Sequence, residues 1–290
     1  MILAAGLGTR LRPYTELRPK PLFPVVGRSL LSITIDQLRD AGAGFVVVNA
    51  HHLPEQIAAA VHGQENVLLQ QEEMILGTGG GLRRAMESLG GQPLLVSNGD
   101  IYHNIDLAQV YRGHMESGAE VTMVLHDEPR FNKVAVDDDS VIHGFNSEDF
   151  PSLPRLAFTG IHVIDPAVLG EIPADSFYDI IDCYRGIIRS GGRVRAHVVA
   201  GHFWTDMGTP ADYLALHGAL LTGQVEGVMT INAPFYIDEG ASVGSNLHLA
   251  DWVAVGDKAT IGDNVTLERV VVWDGAVVPS GSTLRDTIVT

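Results

Sequence analysis

Cysteine is almost missing from this chain: only Cys183 occurs in 290 residues, so no internal disulfide and no CxxC metal pair can form. It lies in DIIDCYRGIIR, a stretch of helical spacing, and reads as a buried core thiol. Long apolar runs are missing too. None reaches ~18 residues, so nothing predicts a membrane span or a membrane partner. Positive charge is scarce, with 19 Lys and Arg against 35 Asp and Glu and a net charge of −16. A nucleic acid partner needs a basic face, and this balance argues against one. The opening MILAAGLG lacks a basic segment and is too short for a signal peptide, so the chain reads as cytoplasmic. The twelve histidines show no HxxxH or HExxH spacing. His51, His52 and His248 read as solvated or core residues rather than metal ligands.

What is present is a globular composition, 46% apolar and 19% charged, with enough chain for one large or two smaller domains. Apolar positions 30, 31, 33, 35 and 38 before Gly42 predict a helix over 29–41. Strand-like runs at 45–49, 67–69, 93–97 and 120–125 alternate with helical patterns at 54–61, 79–89 and 107–117. That alternation predicts an α/β fold, a doubly wound and mostly parallel sheet covered on both faces. Segments 133–136, 141–145 and 157–164 read as antiparallel additions, followed by a helix over 178–188, a strand over 193–199 and a helix over 210–221. The tail has another period. Ile237, Val243, Leu249, Val255, Ile261 and Leu267 recur every six residues, and Val272, Val278 and Leu284 continue the step after a one-residue slip. That is the period of a hexapeptide β-helix, here a short left-handed one of about three coils beginning near Val228.

The chemistry concentrates in LAAGLGTRLRPYTELRPKPLFP, residues 3–24. An apolar strand runs into a loop where Gly6 and Gly8 let backbone N–H groups approach an anion. Arg10 and the proline-flanked Lys20 add full positive charges nearby, a combination that suits a triphosphate. The dinucleotide fingerprint fails because Leu11 stands where its third glycine belongs, and the Walker pattern fails as well. A second glycine motif, ILGTGGGLRRA at 75–85, opens a helix. Asn98-Gly99-Asp100 ends an apolar strand, where ligand sites of such sheets lie. Trp204-Thr205-Asp206-Met207-Gly208-Thr209-Pro210 offers a second carboxylate, Asp206, which reads as a Mg²⁺ ligand or as a helix N-cap.

LAAGLGTRL-RP followed by PKPL resembles the opening of the sugar-1-phosphate nucleotidyltransferases (nucleotide-sugar pyrophosphorylases), and the likeness runs to about Leu221. It resembles the mannose-1-phosphate guanylyltransferases and the N-acetylmuramate-1-phosphate uridylyltransferases of that family. The resemblance implies a Rossmann-like nucleotidyltransferase domain over 1–225, with the β-helix over 226–290. It implies that NTP and sugar 1-phosphate give NDP-sugar and pyrophosphate with Mg²⁺. By the same resemblance Leu3, Ala5, Gly6, Gly8, Thr9, Gly77, Thr78 and Gly99 bind nucleotide. Arg10, Lys20 and Asp100 are catalytic, Asp100 and Asp206 hold the metal, and Thr159 and Gly160 contact the sugar. The family's Glu-Lys-Pro is replaced here by Ser147-Glu148-Asp149-Phe150-Pro151, which leaves Arg155 or Lys133 for the acceptor phosphate. Glu72 stands where pyrimidine-specific members carry a glutamine. An acceptor-only carboxylate suits the paired N–H groups of guanine, which leans toward GTP and mannose 1-phosphate; the neighbouring Gln71 keeps UTP, with N-acetylmuramate or glucose 1-phosphate, open. A non-catalytic nucleotide-sugar binder and a β-helix acyltransferase using His248 are the rival classes. The tail is expected to make a homo-oligomer.

Overall fold

Short apolar runs buried on both faces build the sheet that organises the first half of the chain. A computed structural model describes residues 1–146, 150–225 and 234–290. They divide into two compact units, one of residues 1–7, 34–99 and 105–202, the other of 8–33, 100–104 and 203–290.

The first unit holds a nine-stranded sheet. Its strands are β1 (Ile2–Leu3), β2 (Val46–Ala50), β3 (Val67–Gln71), β4 (Leu94–Asn98), β5 (Val121–His126), β6 (Val134–Val136), β7 (Ile142–Gly144), β8 (Arg155–Ile164) and β9 (Val194–Val198). The order is β7-β6-β8-β4-β1-β2-β3, with β5 on β8 and β9 on β5. The run β4-β1-β2-β3 is parallel, as the strand–helix alternation predicts. Of the three segments expected as antiparallel additions, the last lies inside the sheet: β8 runs antiparallel to both β4 and β5. Its register against β5 slips between Phe158 and His162, so Thr159 and Gly160 form a bulge, with Gly160 at φ +85°. A Cβ at Gly160 would lie 2.8 Å from Asn98 Nδ2, which is why this bulge carries glycine. The expected departure from Glu-Lys-Pro at Ser147-Glu148-Asp149 falls outside the described residues.

In the second unit, the tail strands stack in two parallel sets. Phe235–Ile237, His248–Val255, Thr266–Val272 and Thr283–Val289 form one, and Ser242–Val243, Thr260–Ile261 and Val277–Val278 the other. Leu249 pairs with Leu267, 18 residues on, and Val253 with Val270, 17 on. The one-residue slip expected after Leu267 is therefore a real register shift, opposite Asp251 and Trp252. Side chains alternate as strand geometry demands. Val253, Val255, Val270 and Val272 fill the tail's own core. Trp252, Ala254, Val271, Trp273 and Ile288 turn outward onto a second core with Tyr213, Leu216 and Leu220 of the helix Pro210–Leu221, and with Leu11 and Phe23. Fully burying a side chain such as Val271, Leu216 or Phe23 contributes roughly 1.5–3 kcal/mol. Ile237 and Val243, expected as buried anchors, are exposed instead, because each lies in the first strand of its stack. The expected start of the tail near Val228 and the boundary at 226 fall outside the described residues.

Each unit buries a histidine that must stay neutral. His162 is 1% exposed, neither ring nitrogen has a partner, and burial depresses its pKa to about 3. Burial likewise holds His217 down to about 4. The unfolded chain takes up these protons near pH 6.5, whereas the folded one refuses them down to about 3 and 4. Stability is thus full above 6.5 and falls as the pH drops, by ~1.4 kcal/mol per pH unit for each histidine. Urea unfolding compared at pH 7 and about pH 5 should show the loss, and a flat profile across that window refutes it.

Candidate active site

A short antiparallel ladder explains how two distant acids meet. Tyr102–His103 pairs with Trp204–Thr205 so that Thr205 stands opposite Tyr102. Antiparallel pairing then sends the chain just before Tyr102 alongside the chain just after Thr205. Asp206 follows Thr205 directly and Asp100 stands two residues before Tyr102, so both lie at that end of the ladder. The ladder is extended by Asn104, whose N–H donates to the Phe203 carbonyl at 3.2 Å and whose Oδ1 accepts from the Phe203 N–H at 2.7 Å.

Lys20 joins the acids. Its Nζ donates to Asp100 Oδ2 at 2.9 Å and to the Asp206 backbone carbonyl at 2.6 Å. The residue is only 5% exposed. It starts a single 3-10 turn, Lys20–Leu22, which Pro19 enters in extended geometry and Phe23 closes by donating to the Lys20 carbonyl at 3.0 Å. Arg10 is more open. Its Nη2 lies 3.3 Å from Asp206 Oδ2, with the Arg10 side chain 59% exposed. Gly208 permits this pairing: a Cβ there would sit 2.6 Å from Arg10 Nη1 and 2.7 Å from Asp206 Oδ2. The helix cap left open for Asp206 belongs to Thr209, whose Oγ1 accepts from the Asp212 N–H at 3.1 Å, with Pro210 opening the helix. The Asp206 carboxylate therefore faces Arg10 and the Gly208 N–H, which it accepts at 3.1 Å. Gly8 takes φ +60° and heads the turn Thr9–Leu11. Its carbonyl accepts from Thr15 Oγ1 at 3.2 Å, and a Cβ there would meet Thr15 Cγ2 at 2.8 Å. Thr9 is exposed in that turn.

The first unit presents the other predicted residues. Gly6 is exposed, and a Cβ on it would meet nothing within 4 Å, so no neighbour in the chain explains a glycine there. Leu3 and Ala5 are half-buried beside it. Gly99 donates to the Leu3 carbonyl at 2.8 Å, and a Cβ on it would press on Ile2 and Leu3.

Glu72 departs from expectation. It is 2% exposed. Its Oε1 accepts from Asn49 Nδ2 at 2.8 Å and its Oε2 from the Leu76 N–H at 3.2 Å. A carboxylate with both oxygens taken inside the protein does not present them to a base. Asn49 belongs to no motif of the sequence, yet its Oδ1 accepts from the Ala4 N–H at 2.7 Å. Asn49 and Glu72 thereby tie the start of the first loop to the start of the second. The glycines of GTGGG also serve the protein. The helix begins at Gly77 rather than 79, at φ +70°, and a Cβ there would meet the Tyr178 carbonyl at 2.7 Å. Gly79 donates to that same carbonyl at 2.8 Å. Gly81 makes room for Asn49 and Glu72. Thr78 Oγ1 accepts from the Ile180 N–H at 3.0 Å.

Thr159 is fully buried and donates to the Val124 carbonyl at 2.9 Å, so its hydroxyl faces the sheet and not, as expected, a sugar. Arg155 donates to the Asn146 carbonyl at 2.8 Å, and Lys133 is exposed.

Among the described residues no three His, Cys, Asp or Glu side chains converge as a metal site, and no helix is long and apolar enough to cross a membrane. The donor chemistry at Asp100 and Asp206 nevertheless fits Mg²⁺, which takes one or two carboxylates and fills its octahedron with water and phosphate oxygens.

Comparison with known proteins identifies the family. A family model described as nucleotidyl transferase matches residues 1–223. A mannose-1-phosphate guanylyltransferase of Mycobacterium tuberculosis is 28% identical over 98% of this chain and 82% of its own length. An N-acetylmuramate alpha-1-phosphate uridylyltransferase of Neisseria meningitidis is 31% identical over 72% of this chain and 92% of its own. The crystal structure of HddC from Yersinia pseudotuberculosis shares the fold, with a TM-score of 0.61 and 22% identity over 74% of this chain and 96% of that one. The chain belongs to the nucleotidyl transferase family, as an enzyme of the sugar-1-phosphate nucleotidyltransferase kind.

Proposed function

We propose that this enzyme joins GTP and mannose 1-phosphate to give GDP-mannose and pyrophosphate. One observation carries the reaction type: a buried lysine ammonium on both Asp100 and Asp206, with an exposed arginine on the second acid. In the reaction an oxygen of the sugar phosphate bonds to the α-phosphorus of the NTP. The bond from that phosphorus to the bridging oxygen breaks, and its electron pair leaves on pyrophosphate. A phosphate monoester is already a nucleophile at neutral pH, so no general base is needed. Catalysis is then positioning and charge neutralisation.

Lys20 steadies the charge that grows on the α-phosphate. Arg10 and the amides around Gly8 and Thr9 hold the β,γ-phosphates and the departing pyrophosphate. Asp100 and Asp206 would hold Mg²⁺, which when bound supplies positive charge to the phosphate oxygens. For the acceptor phosphate Lys133 and Arg155 stay the candidates; Lys133 is exposed, whereas Arg155 donates to the Asn146 carbonyl. The tail is read as a left-handed β-helix that mediates self-association, a domain apart from the catalytic one in sequence.

The guanylyl pair is supported by the mycobacterial relative and by an Arabidopsis thaliana mannose-1-phosphate guanylyltransferase, 28% identical over the whole chain; a Synechocystis UTP–glucose-1-phosphate uridylyltransferase also aligns over the whole chain, at 24%. Uridylyl transfer is the second reading. It gains from the inward turn of Glu72, which removes the carboxylate that favoured guanine. A matrix of NTPs against sugar 1-phosphates, read as pyrophosphate release, decides between them. GTP with mannose 1-phosphate should exceed every other pair in kcat/KM by about tenfold or more. A faster UTP pair overturns the substrate assignment, and no pyrophosphate from any pair overturns the reaction.

A further inference from the structure

The loop that carries Lys20 is held by the tail. Trp273 is 3% exposed, and three side chains of the N-terminal segment converge on its ring. Phe23 packs edge-on at 4.7 Å between centroids, Tyr14 lies tilted at 6.0 Å, and the Arg18 guanidinium stands 4.8 Å from the centroid. Arg18 Nη1 also pairs with Asp274 Oδ2 at 3.0 Å. On the ring's far edge Nε1 donates to the Tyr213 hydroxyl at 3.1 Å, and that hydroxyl in turn donates to the Pro24 carbonyl. The contacts begin at Tyr14 and end at Pro24, so they bracket Lys20.

The two ends of this bracket lead to the phosphate-handling groups. Phe23 is one 3-10 hydrogen bond from the Lys20 carbonyl. Tyr14 adjoins Thr15, whose hydroxyl donates to the Gly8 carbonyl. Lys20 is too deeply buried to search for its place by side-chain motion. Its position is set by the backbone, and the backbone is set by Phe23 and Tyr14.

We propose that Trp273, assisted by Asp274, is a positioning residue for the reaction, so that the tail is a working part of the catalytic apparatus. Its role is to fix residues 14–24 such that Lys20 meets the transferred phosphate. The inference rests on the reading of Lys20 as the group acting there. An error of about 1 Å in such a group costs on the order of 10²-fold in rate.

The test uses the full chain with Trp273→Ala, Trp273→Phe, Lys20→Ala and the double variant Trp273→Ala/Lys20→Ala. Trp273→Ala should lower kcat by roughly 10–100-fold with a smaller change in KM for the NTP. Trp273→Phe keeps an aromatic ring against Phe23, Tyr14 and Arg18, and should recover most of the rate. In the Lys20→Ala background the Trp273→Ala change should cost less than about threefold, because its effect runs through the missing ammonium. Costs that multiply, or a Trp273→Ala variant with wild-type kcat and only a lower Tm, overturn the proposal. Amide hydrogen exchange keeps it testable apart from catalysis. Exchange across residues 8–23 should quicken about tenfold or more in Trp273→Ala while residues 46–50 stay protected; unchanged exchange there also overturns it. Should the wild type release no pyrophosphate, the role of Lys20 fails while the exchange result still judges the clamp. If Trp273→Ala does not fold, Arg18→Gln, which removes the guanidinium from the ring and from Asp274, replaces it in both measurements.

Discussion

Replacing Lys20 by alanine is expected to lower kcat by about 10²–10³-fold, the loss seen when one preorganised donor is removed from a developing charge. The ammonium stands between an Asp100 carboxylate oxygen and the Asp206 carbonyl. Without it the Asp100 carboxylate loses its counter-charge and the Asp206 carbonyl its donor, and a phosphate arriving beside them meets net repulsion. Part of the effect is structural, since Lys20 is buried. The Asp100 side chain is 40% exposed, however, so water screens the orphaned carboxylate and losing that ion pair costs only ~1 kcal/mol of stability. Kinetics and stability therefore separate. Pyrophosphate release under saturating substrates gives kcat, and a thermal melt gives Tm. A variant with a lowered Tm and a kcat within about threefold of wild type makes Lys20 a structural residue. Lys20→Arg should not restore the rate. The guanidinium is larger and planar, and the pocket that holds Nζ leaves it little room.

How much of this could be read from the chain alone depends on whether the cause was local. The helix Pro210–Leu221 is delimited by Thr209-Pro210, a capping residue before a proline that opens the helix, and its predicted bounds are those observed. The six-residue period of the tail likewise follows from side chains that must point the same way, and even its one-residue slip has a counterpart in the register. Glycine motifs are harder. Gly77, Gly79 and Gly81 read as an opening for a ligand. A glycine records that something comes close, not what comes close. Here the approaching atoms are the Tyr178 carbonyl, Asn49 and Glu72. Glu72 differs from expectation for a related reason: the sequence shows its position in the motif, but the direction of its side chain is set by Asn49, on a neighbouring strand. Asn49 had no sequence signal except a lone polar residue ending an apolar run. Gly208 had one, the D-x-G spacing of its motif. Trp273 gave none, because the six-residue period marks which residues face the tail's own core and is silent about what covers the outer face.

Asp100→Asn is expected to lower turnover by about 10²–10³-fold while leaving the fold intact. Asparagine keeps the size of the side chain and an oxygen that can accept from Lys20 Nζ, so the packing around the Tyr102–His103 ladder persists. What disappears is one negative charge and an anionic oxygen donor. Mg²⁺ holds carboxylate oxygens far better than amide oxygens in a site with so few protein ligands. The Mg²⁺ concentration for half-maximal rate should accordingly rise by roughly tenfold or more. Asp206→Asn should do the same and should also free Arg10, whose Nη2 loses its ionic partner. The two acids act on one charge distribution, so the double variant should be little worse than either single one. If instead Asp100→Asn turns over like wild type at unchanged Mg²⁺ demand, the carboxylate merely neutralises Lys20. The metal would then have to be held without it.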